Sequence, residues 1–67
     1  MTREQTAKRL RGAIARRDLT LAWVARRLGV TRQTVQEALS EPFDRLSDRL
    51  VRDIEDVLSR IPETDDP

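Results

Sequence analysis

Apolar residues recur at spacings of three and four in four separate stretches of this chain, and capping or turn-forming residues stand between them. Ala7, Leu10, Ala13 and Ile14 mark one side of a first helix from about Thr6 to Arg17, with residues 1–5 expected to fray. Val24, Ala25 and Leu28 do the same for a helix over 21–28, and Val35, Ala38 and Leu39 for one over 32–39. Leu50, Val51, Ile54, Val57, Leu58 and Ile61 fall on a last helix, from about Asp48 to Arg60. The pattern predicts an all-α chain, a small domain of four to five helices over residues 1–61.

The residues at the helix ends support these boundaries. Thr20 and Ser47 are N-caps for the second and last helices, and Asp48 is favourable in a first turn. Gly29 follows Leu28 where a helix end needs a left-handed residue, and the Thr31 hydroxyl is placed to accept an N–H of the next helix. Pro42 ends the third helix at Ser40-Glu41, because proline disfavours helical geometry in the residue before it. Pro62 stops the fourth, and residues 62–67 are expected to form a disordered acidic tail. Gly12 costs its helix about 1 kcal/mol relative to Ala, so it marks a place where a neighbouring helix can approach closely. Phe43 and Leu46 are expected to cap the core. Trp23 is expected to lie partly buried over the first or last helix, its indole N–H at the surface; the alternative is donation to a phosphate or packing against a partner.

Thr20 to Ser40 thus reads as two short helices joined by a tight glycine turn, with Ala25 small enough for the two to cross steeply. Ala25, Gly29, Val30 and Val35, with Val24, Leu28 and Ala38, stand at the spacing of the helix-turn-helix of Cro and phage-repressor-like (Xre-type) DNA-binding proteins. Gly29-Val30-Thr31-Arg32-Gln33-Thr34-Val35 resembles that family's turn and the opening of its recognition helix, and the likeness extends over roughly residues 6–60. One departure is visible. The family often begins its first motif helix with a Gln that binds a phosphate and braces the recognition helix; Leu21 stands there in this chain.

With Val35, Ala38 and Leu39 turned inward, a step of about 100° per residue puts Gln33 and Glu37 opposite them, flanked by Arg32, Thr34 and Gln36. Arg can bond guanine O6 and N7, Gln can bond adenine N6 and N7, Thr can touch a thymine methyl, and a carboxylate can accept from cytosine N4. These five are the expected base contacts. Glu37 has a second reading, in which it merely satisfies an arginine. Phosphate contacts are expected from Arg16, Arg17, Thr20, Arg26, Arg27, Thr31 and, in the loop after the third helix, Arg45.

Composition narrows the functional classes. The chain has 67 residues, 37% of them hydrophobic, with Trp23 and Phe43 as its aromatics, so it should be marginally stable alone and helped by self-association. The six apolar residues of the last helix, Leu50, Val51, Ile54, Val57, Leu58 and Ile61, exceed what one face requires; some can pack against the domain while the remainder form a second strip, the expected interface of a twofold dimer, the alternative being that all six enter the core. Absence of cysteine excludes disulfides and thiolate metal sites, and absence of histidine removes the commonest general base. No metal or cofactor is expected, and no nucleophile, base and phosphate loop converge as an enzyme requires. The first residues are polar and no apolar run approaches about 18 residues, which points to neither signal peptide nor membrane span and to a cytoplasmic location.

Net charge is +1, yet residues 1–33 hold nine basic side chains against Glu4 and Asp18 (+7), while residues 34–67 hold four arginines against ten acids (−6). Such a polarity, kept on folding, would orient the domain on a polyanion; the bland alternative is a set of ordinary solvated helix faces. The expectation is a sequence-specific DNA-binding regulator, a homodimeric repressor of phage or plasmid type that reads double-stranded DNA through the 32–39 helix. With no residues left over for a small-molecule effector domain, its occupancy would follow concentration, dimerisation or a protein antagonist. The competing class is a small antitoxin or antirepressor-like module whose last helix and acidic tail bind a partner protein.

Overall fold

Thr2 caps the start of the first helix, five residues before the apolar pattern begins at Ala7. In the computed structural model, which describes residues 2–62, the Thr2 hydroxyl accepts the Gln5 N–H at 3.1 Å and the Gln5 side chain accepts the Thr2 N–H at 3.0 Å. This reciprocal capping box starts α1 (Arg3–Arg16), so residues 2–5 are ordered helix start rather than frayed ends. The next three helices are α2 (Leu21–Leu28), α3 (Arg32–Ala38) and α4 (Asp48–Ser59). All four elements are α-helical, and the described residues contain no strand. From residue 63 onward the expected tail lies outside the described residues.

The two corners flanking α2 are built alike. At the end of α1, Leu19 N–H reaches Ile14 C=O and Asp18 N–H reaches Ala15 C=O, with Asp18 left-handed at φ 57°. At the end of α2, Val30 N–H reaches Ala25 C=O and Gly29 N–H reaches Arg26 C=O, with Gly29 at φ 73°. Both are Schellman closures, which satisfy carbonyls that a helix end leaves without partners. Each following helix opens on a threonine or serine: Thr20, Thr31 and Ser47 accept the N–H groups of Trp23, Thr34 and Leu50 at 3.1, 3.2 and 3.1 Å.

Ala7, Leu10 and Ile14 of α1, Val24 and Ala25 of α2, Val35 and Ala38 of α3, Leu39 and Leu46 after it, and Ile54 and Leu58 of α4 close over one another as the core. Phe43 packs against this core from the loop, at φ 65°. α2 packs on both α3 and α4, and α1 packs on α4. The methyl of Ala25 is 2% exposed, so the α2–α3 crossing leaves no room there for a larger side chain. Gly12 is different from expectation. A Cβ placed there would meet only the side chain of Arg16, at 3.7 Å, and no neighbouring helix approaches it.

The six apolar residues of the last helix divide between two settings. Ile54 and Leu58 are 0% and 4% exposed and belong to the monomer's core. Leu50 and Val51 are half-buried and also pack against it. Val57 and Ile61 are half-buried too, but they lie outside the core and line a notch with Trp23, Arg27 and Arg60.

Candidate nucleic-acid interface

α3 is anchored on one side and open on the other. Val35 and Ala38 are fully buried, whereas Arg32, Gln33, Thr34, Gln36 and Glu37 are all exposed. The structure therefore brings the five expected base-contacting side chains onto one outward surface of a single helix, as the 3.6-residue period requires.

Those side chains are not independent. The Gln33 amide Nε2 donates to Glu37 Oε1 at 3.2 Å, and Arg45 Nε lies 3.4 Å from Glu37 Oε2. Thr34 Oγ1 is 2.8 Å from Thr31 Oγ1, so the hydroxyl that caps α3 also holds the second threonine. An open groove of about 560 Å³ runs between α3 and the following loop, lined by Arg32, Gln33, Gln36 and Glu37 on one wall and by Glu41, Asp44 and Arg45 on the other. Sequence reasoning left out Glu41 and Asp44, which give this wall a negative rim beside Arg45; the fold of the loop, not any local pattern, puts them next to α3.

Of the expected phosphate contacts, Arg16, Thr20, Arg26, Arg27, Thr31 and Arg45 are exposed. Arg27 sits over the Trp23 ring, 4.8 Å from its centroid, a cation–π arrangement that fixes the guanidinium at the end of α2. Trp23 is half-buried against the end of α4, which agrees with the expected partial burial over the last helix. Arg17 is half-buried. Its Nε donates to Leu58 C=O at 3.2 Å and Ile61 C=O at 2.8 Å, and its Nη1 to Ala13 C=O at 2.8 Å. A guanidinium bonded to three backbone carbonyls is held against the end of α4 and has a structural role of its own.

Folding also offsets part of the charge polarity along the chain. Arg9 of α1 meets Glu55 of α4 at 3.0 Å, and Arg17 caps the end of that same acidic helix. The cations of α2 and the opening of α3 remain exposed. Among the described residues no cluster of His, Cys, Asp or Glu is arranged to hold a metal ion, and no helix is long and apolar enough to cross a membrane.

No family model, curated protein or solved structure matches the chain.

Proposed function

We propose that this domain is a sequence-specific DNA-binding transcriptional regulator in which α2 and α3 act as a helix-turn-helix, the reading implied by its resemblance to Xre-type proteins. The observation that carries it is the division of α3 into a fully buried apolar side and an outward side of hydrogen-bonding groups, next to the exposed Arg26 and Arg27 of α2. In this reading α3 enters the major groove and Arg32, Gln33, Thr34 and Gln36 meet base edges. The hydroxyls of Thr20 and Thr31 and the arginines Arg16, Arg26 and Arg27 face phosphates, which supply affinity without sequence choice.

A second copy would join through the end of α4, where Val57 and Ile61 remain outside the core beside Trp23. Two α3 helices would then address half-sites separated by about one DNA turn, and repression would follow from occupying a promoter that polymerase needs. The test is selection of bound sequences from random duplex DNA at stated salt. An enriched palindrome, with affinity falling steeply as salt rises, is the expected result. Binding that shows no sequence enrichment, or none at all, overturns the reading and favours the partner-protein alternative.

A further inference from the structure

We infer that Glu37 is a positioning residue for Gln33, and that Arg45 supplies the charge that lets a carboxylate work beside DNA. This deepens the proposed function and rests on it. Glu37 stands one helical turn after Gln33 and turns one oxygen to each neighbour: Oε1 accepts from Gln33 Nε2 at 3.2 Å, and Oε2 faces Arg45 Nε at 3.4 Å. A carboxamide nitrogen carries two hydrogens. Spending one on Glu37 leaves Gln33 the other N–H and its carbonyl oxygen, the donor and acceptor that adenine N7 and N6 require.

A surface glutamine without such a partner samples several rotamers and loses that freedom when it binds. Held by Glu37, it presents one orientation, as supporting hydrogen bonds do for ligating side chains elsewhere. The cost of this arrangement is a negative charge next to phosphates. Arg45 lies in the loop across the groove and offsets it, while Glu41 and Asp44 on the same wall make that offset more necessary. Glu37, with one oxygen turned to Gln33 and the other to Arg45, therefore acts through Gln33 rather than on cytosine. Arg45 acts through Glu37 rather than as a phosphate anchor.

The experiment compares variants on the sequence that wild-type protein selects, with each base pair varied in turn and affinity read by fluorescence anisotropy. Gln33→Ala identifies the base pair that Gln33 reads. Glu37→Ala should lose discrimination at that same base pair, by about tenfold, with affinity for unrelated DNA unchanged or higher. Glu37→Gln keeps an acceptor for Gln33 and should retain most of the discrimination. Arg45→Ala should weaken binding to all sequences, and adding Glu37→Gln to it should restore binding. The inference is overturned if Glu37→Ala changes preference at a different base pair, if it changes none, or if the Arg45→Ala, Glu37→Gln double variant stays as weak as Arg45→Ala. Failure of the underlying reading looks different: wild-type protein itself then selects no sequence.

Discussion

Arg17 Nε lies 2.8 Å from the carbonyl oxygen of Ile61, 44 residues away, and ties the corner between α1 and α2 to the end of α4. Carbonyls at a helix end have no partners within the helix, and a guanidinium satisfies several at once. Arg17→Ala should lower unfolding free energy by about 1.5–3 kcal/mol, read from urea denaturation, because charged hydrogen bonds are lost to partly buried acceptors. Arg17→Lys should recover only part of this, since one ammonium cannot reproduce the fork. Unchanged stability with weakened DNA binding would return Arg17 to the phosphate contacts.

Two substitutions in and after α1 should stabilise the domain. At Gly12 an added methyl meets only a flexible side chain, so Gly12→Ala should gain roughly 0.5–1 kcal/mol. Asp18 combines a left-handed backbone with a negative charge at a helix C-terminus, both unfavourable. Asp18→Gly should therefore raise the melting temperature, by about 4–8 °C for each kcal/mol recovered in a domain this small.

Gly29→Ala tests the corner between α2 and α3. No atom lies within 4 Å of the added carbon, so the cost is the φ of +73° alone, about 1–2 kcal/mol. Gly29→Asn should cost less, since Asn tolerates this region. Equal melting temperatures for glycine and alanine would show that the corner does not need its left-handed residue.

The last helix separates packing from association. Ile54→Ala should cost about 2–5 kcal/mol at any protein concentration, as a fully buried side chain is truncated. Val57→Gln should leave the monomer's stability nearly unchanged and weaken self-association, measured by sedimentation equilibrium. A Val57→Gln protein that behaves as wild type in the same measurement would overturn the proposed contact at the end of α4.

What the sequence made legible was local. Gly29, Thr20, Thr31 and Ser47 each declare a helix end through chemistry that depends on neighbours within four residues, and each occupies the predicted role. Thr2 and Gln5 follow the same rule, but no apolar residue beside them marks a helix there. Asp18 was less so, because aspartate adopts a left-handed turn far less regularly than glycine. Arg17 and the Arg45–Glu37 pair depend on where distant backbone and a loop settle, which periodicity does not encode. On α4, the spacing named the apolar residues correctly but could not say that Ile54 and Leu58 face inward while Val57 and Ile61 stay outside the core.

Because α2 packs against both α3 and α4, it would be the strut through which the proposed association at α4 sets the aim of α3. That strut is eight residues, about 12 Å long, and closed by backbone hydrogen bonds at both corners, with no hinge along it. A pair of such domains would hold its two reading heads at one set angle. Adding a single base pair at the centre of an operator turns one half-site by about 35°, and the second head should then miss its groove altogether.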